Sequence, residues 1–317
     1  MPLQGGVLLA LFFTATCILN ADESNGRVEI KDDMPQRFQT SCERAGRVEE
    51  VKYATSQGEK RALVYLPYGY DDSEKRYPVL YLMHGGGDAP ELFFTKGSAS
   101  AFSNILDRLV DEGLTEPVIV VAPSFYPASN NANRFEDAGK LTARFPEELR
   151  KELIPAIEGK YRTFANSTTD EDLRASRQFR AFGGFSMGAE TTWRVFLSSL
   201  DYFSLFIPIS GDCWVVELRG GQTASEKTAE ILANSVAEQG FSANDFKIFA
   251  LTGDADIAYE PLNSMLEAMS KKETFQFGTN IFYGLKKRGT HSHPDMRLYL
   301  YKALPVLFPK NQGDQGE

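Results

Sequence analysis

The sequence Gly184-Phe185-Ser186-Met187-Gly188 lies between an apolar run at residues 179–182 and a helix-like segment at residues 190–200. This strand–turn–helix context is typical of a nucleophile elbow, a tight turn that projects one serine between glycines whose missing side chains avoid a clash. A helix that begins near the serine directs its positive end towards it and stabilises negative charge there. The stretch therefore predicts an α/β sheet with Ser186 as a candidate nucleophile.

Apolar strand-like runs and amphipathic helix-like runs alternate along most of the chain. The predicted strands are residues 47–54, 61–66, 79–83, 118–122, 179–182, 205–209, 247–251 and 280–285. The predicted helices are residues 100–112, 146–160, 190–200, 225–238, 262–271 and 295–307. The first two strands follow each other directly and should form an antiparallel hairpin, whereas the later alternation predicts a mostly parallel sheet with helices on both faces. One α/β domain of about eight strands is expected at residues 46–310.

Composition limits the class of protein. The chain has 317 residues, 42% of them hydrophobic, and a net charge of −9, which indicates a globular core and argues against nucleic acid as the partner. Residues 1–21 carry no charged side chain and include a short apolar run that resembles a secretory signal peptide, with a retained anchor or a wrongly assigned start as alternatives. A polar leader is predicted at residues 22–45 and a polar tail at residues 311–317. The mature protein is therefore expected to be secreted, with no membrane association.

A serine nucleophile needs a base, and the sequence has three histidines, His84, His291 and His293. In this architecture the order along the chain is serine, acid, histidine, which excludes His84 as the base. His291 directly follows Gly289-Thr290 after a late predicted strand and is the preferred base. His293 stands beside Pro294 at the start of a predicted helix, where it is expected to be a rim residue.

Two aspartates could orient the base. The strand predicted at residues 247–251 leads into Thr252-Gly253-Asp254-Ala255-Asp256, and Asp256 is preferred as the acid. Asp254 is the alternative, and the aspartate that does not serve is expected to cap a turn.

His84-Gly85-Gly86-Gly87 follows the strand predicted at residues 79–83 and resembles the HGGG-type segment that contributes a backbone N–H group to an oxyanion hole. The first donor is assigned to Gly86, with Gly85 as the alternative. The second donor is Met187, directly after the serine. His84 is expected to orient this loop.

The sequence contains little that indicates a metal site or a disulfide. His291-Ser292-His293-Pro294-Asp295 has the form of a ligand string, but a two-metal site would need further histidines, so no metal and no cofactor are predicted. Cys42 and Cys213 could form a disulfide in an oxidising compartment, or stay as separate thiols. Asn166 begins a glycosylation sequon.

Five sequence blocks together resemble the feruloyl esterases of carbohydrate esterase family one, especially the esterase modules of bacterial cellulosomal xylanases. The blocks are FGGFSMG (182–188), PISGDCW (208–214), TGDADIAY (252–259), GTH (289–291) and YKALP (301–305). The resemblance implies an α/β-hydrolase fold, with Ser186, Asp256 and His291 as the triad. It also places Trp214 near the substrate pocket, where an aromatic ring could pack on a cinnamoyl group, although Trp214 could equally be a core or rim residue. Phe185, inside the first block, is a further candidate for substrate binding.

The resemblance implies hydrolysis of ferulate esters on arabinoxylan as the function, with feruloylated arabinoxylan or its oligosaccharides as the partner. Bulky aromatic residues follow the histidine in a member of that family, whereas Ser292-His293-Pro294 follows it here, and this leaves the preferred acyl group open. The alternatives are an acetyl xylan esterase or another acyl esterase of the same family and, from a different class, a non-catalytic carbohydrate-binding relative.

Overall fold

The computed structural model describes residues 26–31, 33–127 and 137–310. The signal peptide predicted at residues 1–21 and the polar tail predicted at residues 311–317 lie outside the described residues, and both stay predictions.

The strands of the described chain form one mixed nine-stranded sheet in the order β1-β9-β8-β7-β6-β4-β5-β3-β2. They are β1 (Arg27–Glu29), β2 (Arg47–Thr55), β3 (Gly58–Leu66), β4 (Val79–Met83), β5 (Ile119–Ala122), β6 (Arg180–Phe185), β7 (Leu205–Ile209), β8 (Lys247–Gly253) and β9 (Ile281–Lys286). β3 runs antiparallel to β2 and to β5, and the other pairings between these strands are parallel. The predicted α/β fold, with its hairpin and its mostly parallel sheet, is confirmed.

Helices cover both faces of this sheet. They are α1 (Ala101–Asp111), α2 (Ala138–Glu148), α3 (Ile154–Glu158), α4 (Asp170–Ala175), α5 (Met187–Ser198), α6 (Gly220–Thr223), α7 (Ser225–Glu238), α8 (Tyr259–Met269) and α9 (His293–Leu307). Apolar side chains of α1 and α9 belong to one hydrophobic core, whereas those of α2, α5, α7 and α8 belong to another. The sheet therefore separates two cores.

The central strand β4 shows how the sequence builds both cores. Successive side chains of a strand point to opposite faces, so Tyr81 and Met83 pack in the core with α5, whereas Leu80 and Leu82 pack in the core with α1. All four side chains are fully buried. Burial of a leucine or methionine side chain stabilises the fold by about 1.5–3 kcal/mol. This two-sided burial explains why the strand appears in the sequence as an unbroken apolar run.

The structure differs from the sequence prediction at the amino-terminal edge. The sequence predicts a polar leader at residues 22–45, but β1 lies within this range and pairs in parallel with β9. Val28, Ile30 and Phe38 of this segment are buried. A three-residue strand among charged residues has too little periodic pattern to be recognised, and it completes the sheet only through its contact with β9.

The helix predicted at residues 146–160 begins earlier than expected. Helical structure starts at Ala138 and continues through α2, a π-helical turn at Leu149–Leu153 and α3. Pro146 therefore lies inside α2. Proline lacks the N–H group of a regular helix and favours the first turn, which is why the sequence placed the helix start there.

Two further observations concern chain chemistry within the described residues. Cys42, partly buried, and Cys213, fully buried, are both free thiols, so the structure contains the separate thiols and not the disulfide. No helix among these residues is both long enough and apolar enough to cross a bilayer.

Candidate active site

Ser186 stands alone between β6 and α5, with φ 58° and ψ −115°. This left-handed conformation is strained for a residue with a side chain. The neighbouring glycines are required, because a Cβ on Gly184 would lie 2.5 Å from the carbonyl oxygen of Gly188, and a Cβ on Gly188 would lie 2.2 Å from that of Met83. The turn therefore holds the serine side chain at the carboxyl end of β6, directly before a helix amino terminus.

The loops after β8 and β9 bring two further side chains to this serine. The Nε2 atom of His291 lies 2.9 Å from Oγ of Ser186, and its Nδ1 atom lies 2.7 Å from Oδ1 of Asp256. The three residues come from the carboxyl ends of parallel strands, which meet at one edge of the sheet. The arrangement can pass a proton from the hydroxyl to the imidazole while the carboxylate fixes the ring.

The two candidate acids occupy different environments. The Asp256 side chain is buried, and its Oδ1 atom also accepts a hydrogen bond from the backbone N–H of Ala258 at 2.8 Å. Asp254 is exposed and accepts a hydrogen bond from the backbone N–H of Arg288. The structure therefore brings Asp256 to the histidine and leaves Asp254 as the cap of a turn.

The Phe185 ring packs against the base. Its centroid lies 4.7 Å from that of His291, with an interplanar angle of 31°. Phe185 is only 4% exposed. This burial leaves little surface for a substrate and favours a role in fixing the imidazole, while direct substrate binding by Phe185 stays a prediction.

The string His291-Ser292-His293-Pro294-Asp295 does not converge on one point. His291 faces the serine, Nε2 of His293 lies 3.4 Å from Oδ2 of Asp88, and Asp295 forms an ion pair with Lys286 at 2.6 Å. Across residues 26–31, 33–127 and 137–310, no three His, Cys, Asp or Glu side chains are grouped to hold a metal ion. His293 is half exposed, consistent with the rim position expected for it.

The loop after β4 lies against the start of α5. A Cβ on Gly86 would lie 2.7 Å from Sδ of Met187, so these residues are neighbours. The Gly87 amide donates to the hydroxyl of Tyr126 at 2.8 Å, whereas the amides of Gly86 and Met187 donate to no group of the described protein. Both amides are thus available beside the serine, as an oxyanion hole requires, while Gly85 stays open as the alternative.

His84 fixes this loop from beneath. Its Nδ1 atom lies 2.7 Å from the carbonyl oxygen of Gly85 and its Nε2 atom lies 2.8 Å from Oγ of Ser124. The ring packs against both Phe125 and Tyr126 and is fully buried. Burial lowers the pKa of His84 to about 4. The neutral ring therefore donates one hydrogen bond and accepts the other, as expected of a loop-orienting residue.

The burial of His84 predicts that the free energy of unfolding falls at acid pH. The unfolded chain takes up a proton on His84 as pH falls through about 6.5, whereas the folded protein resists until about 4, so stability is lost across this window. The loss should reach about 3 kcal/mol, because one pKa unit corresponds to about 1.4 kcal/mol. Urea unfolding of wild type and His84→Asn between pH 7 and 4.5 measures it.

His84→Asn should flatten the pH dependence of the unfolding free energy, even if it lowers stability overall. The matched control is His293→Asn at the exposed rim, which should keep the wild-type slope. Parallel curves for wild type and His84→Asn would show that His84 does not account for the acid sensitivity.

Trp214 lies against the first turns of α5. Its backbone N–H donates to Oε2 of Glu190 at 2.6 Å, and its indole N–H donates to Oδ1 of Asp212 at 3.0 Å. Its carbonyl accepts a hydrogen bond from Arg194, which also pairs with Glu190. The indole is partly buried against the core. Trp214 is thus firmly held on the α5 side of the site, although its contact with a substrate stays a prediction.

Sequence reasoning missed Glu190 and Tyr126. Glu190 is fully buried under the Trp214 loop, and this burial raises the pKa of its carboxyl to about 7. A glutamate in the first turn of a helix ordinarily faces solvent and interacts with the helix dipole, so the sequence does not indicate that Glu190 is buried. Tyr126 follows β5, and its hydroxyl accepts the hydrogen bond from the Gly87 amide. Its position at the end of a strand is the one feature of the sequence that could have indicated a place near the site.

This sheet, its helices and the serine at the turn after β6 define a protein of the α/β-hydrolase fold. The family model described as "Putative esterase" matches residues 54–249. The chain therefore belongs to this esterase family.

Two related proteins and one solved structure show what the chain is similar to. The chain is 39% identical over 280 residues to endo-1,4-beta-xylanase Y of Acetivibrio thermocellus. The aligned residues cover 86% of this chain and 24% of that protein. It is 34% identical over 179 residues to the endo-1,4-beta-xylanase/feruloyl esterase of Xylanibacter ruminicola, covering 54% of this chain and 22% of that protein. The chain thus spans about a quarter of the length of these two relatives.

The solved feruloyl esterase module from Clostridium thermocellum, complexed with sinapinate, superposes with a TM-score of 0.78 at 35% identity. The superposition covers 90% of this chain and 96% of that module. The resemblance to feruloyl esterase modules of xylanases, which the sequence indicated, is confirmed.

Proposed function

We propose that the protein is a secreted serine esterase that hydrolyses ferulate and related hydroxycinnamate esters on plant cell-wall arabinoxylan. The single observation that carries the proposal is the hydrogen-bonded row of Ser186, His291 and Asp256 at the carboxyl edge of the sheet. The relatives add the substrate class, because two of them bear the name feruloyl esterase.

In the proposed first step, His291 accepts the proton of the Ser186 hydroxyl as Oγ attacks the ester carbonyl. The carbonyl oxygen becomes an oxyanion, which accepts hydrogen bonds from the amides of Gly86 and Met187. Each such donor typically lowers the barrier by about 3 kcal/mol. Asp256 holds the imidazole in the required tautomer and stabilises its charged form.

Collapse of this intermediate breaks the bond to the sugar oxygen, which leaves as an alcohol with the proton from His291. The ferulate stays on Ser186 as an ester. Water then attacks this acyl-enzyme while His291 accepts its proton, and the second collapse returns the proton to Ser186 and releases the acid. No step needs a cofactor.

The acyl group is proposed to lie on the Trp214 side of the serine. Trp214 is anchored through both its backbone N–H and its indole N–H, so the orientation of the ring is set before a substrate binds. A planar cinnamoyl ring packed on an aromatic side chain gains about 0.5–1.5 kcal/mol beyond the area that it buries.

Export is part of the proposal and rests on the apolar segment at residues 5–19, which lies outside the described residues. Both related proteins are named xylanases, and xylan is the class of polysaccharide to which the proposed substrate belongs.

A hydrolysis panel of methyl ferulate, methyl caffeate, acetyl-xylose and p-nitrophenyl acetate tests the function. We expect kcat/KM for methyl ferulate to exceed that for acetyl-xylose by at least about tenfold, because apolar contacts in a pocket discriminate by about 1–3 kcal/mol. Release of each acid, followed by chromatography, is the measurement. Turnover of the acetates without turnover of methyl ferulate would reject the proposed hydroxycinnamate specificity. Inactivity on all four esters would reject the proposed esterase function.

A further inference from the structure

A polar cleft of about 460 Å³ lies on the other side of the loop that carries Gly86. One wall is the β2–β3 hairpin, with Lys52, Glu59 and Arg61, and the opposite wall is the segment 87–90. Residues after β5 close the end of the cleft, with Tyr126 among them. Small-molecule sites commonly have volumes of about 300–1,000 Å³, so the cleft is large enough for a ligand.

The cleft adjoins the candidate active site. Gly87 lines it and directly follows Gly86, and the Gly87 amide is held by the Tyr126 hydroxyl. Asp88 also lines it, and Oδ2 of Asp88 lies 3.4 Å from Nε2 of His293. A Cβ on Gly85 would lie 2.9 Å from that same Asp88 oxygen and 3.4 Å from Cβ of Ser186. Asp88 therefore stands between the serine and the cleft.

The charges in the cleft are already paired. Lys52 donates to Glu59 at 2.8 Å, and Arg61 pairs with Glu91 at 2.6 Å and with Glu50 at 3.5 Å. Paired cations attract an anion weakly, because the neighbouring carboxylates cancel their field. They still present both donors and acceptors, which is what the hydroxyl groups of a neutral sugar need.

Lys60 adds to this picture. Its Nζ atom is buried and bonds both to Glu148 and to the carbonyl of Ser124, so its charge is also neutralised by the protein. The cleft floor is thus polar and preorganised, and the flanking rings of Pro90 and Tyr126 offer apolar edges. Such a mixture suits a sugar ring, whose C–H faces alternate with hydroxyls, better than a cinnamoyl ring.

We propose that this cleft binds the carbohydrate on the alcohol side of the ester, a neutral pentose or a short pentose oligosaccharide. The inference rests on the proposed function, because it divides the ester at Ser186: the aromatic acyl group lies towards Trp214, and the leaving sugar lies towards Arg61 and Asp88. Binding energy from the sugar then positions the scissile bond beside the amides of Gly86 and Met187.

The first test compares two esters of one acid, methyl ferulate and feruloylated arabinoxylotriose, with wild type and Arg61→Met. The variant keeps an apolar stem and removes the cation from the cleft wall. The ratio of kcat/KM for the oligosaccharide ester to that for methyl ferulate should fall by about tenfold, as for the loss of one charge-assisted hydrogen bond. An unchanged ratio would overturn the proposal.

The matched control is Arg37→Met, which removes an arginine from another surface ion pair, with Glu112. Arg37 is not part of the cleft lining, so this variant should keep the wild-type ratio. An equal fall in both variants would attribute the effect to surface charge in general and would also overturn the proposal.

A second measurement does not depend on hydrolysis. Arabinoxylotriose without ferulate is titrated into isotopically labelled Ser186→Ala protein, and backbone amide resonances are followed by NMR. Resonances of Gly87 and Ala89 should shift, and the apparent Kd should rise about tenfold when Arg61→Met is added. Absence of shifts at these residues, or an unchanged Kd, would overturn the cleft assignment. Failure of the proposed function would instead show as wild-type protein that releases no ferulate from methyl ferulate.

Discussion

Ser186→Ala is expected to lower kcat on methyl ferulate by about five to six orders of magnitude, because loss of a triad nucleophile removes the covalent route altogether. Removal of Oγ takes away the atom that lies 2.9 Å from Nε2 of His291 and leaves the imidazole without a proton to accept. A residual rate above that in water should remain, since the amides of Gly86 and Met187 are untouched. Ferulate release at high enzyme concentration is the measurement.

A fluorophosphonate probe provides an independent measurement of the same substitution. Wild-type protein should be labelled on Ser186, and Ser186→Ala should not be labelled. Ser235→Ala is the matched control, because Ser235 is a buried helical serine of α7 whose hydroxyl donates to the carbonyl of Leu232 at 2.8 Å. Labelling of Ser186→Ala at the wild-type rate would refute the nucleophile.

Asp256→Asn should lower kcat by about 10⁴-fold, the effect known for the corresponding change in a serine triad. The amide has the size of the carboxylate, so the fold should be kept, although an NH₂ group in the place of Oδ1 loses the hydrogen bond from Ala258. Its NH₂ group cannot accept the proton of Nδ1, and an amide oriented to donate there selects the wrong tautomer of His291. Steady-state kinetics on methyl ferulate, together with thermal unfolding, separates catalysis from stability.

Asp254→Asn is the matched control for the acid, since the two aspartates are two residues apart in one loop. The Asp254 side chain is exposed and, among the described contacts, accepts a hydrogen bond only from the backbone N–H of Arg288, so its change should alter kcat by no more than about twofold. A large loss in Asp254→Asn with near-normal activity in Asp256→Asn would reverse the assignment.

The sequence predicted the parts of the fold whose burial is simple. β4 and β7 match their predicted limits because each is an apolar run enclosed on both faces, and α7 matches because its apolar stripe has a helical period. β1 was missed because its place depends on β9, which lies more than 250 residues away in the sequence. Pairing between distant segments leaves no local pattern in a short polar strand.

The candidate site divides in the same way. Ser186, Asp256 and His291 were predicted from the order of strands and turns, and the structure brings them within hydrogen-bonding distance, while their roles in catalysis stay predictions. Glu190 could not be found in this way. It is buried where the Trp214 loop and Thr142 of α2 both contact its carboxylate, and these contacts arise only in the tertiary structure.

The sheet order has a consequence for how such a molecule can change over evolutionary time. Trp214 follows β7, which lies between the strand of the serine and the strand of the acid, yet its anchors Asp212 and Glu190 are separate from the His291–Asp256 pair. Under the proposed function, the segment after β7 could therefore be remodelled for a different acyl group while Ser186, His291 and Asp256 stay in place. A change of acyl specificity would then proceed by exchange of one loop.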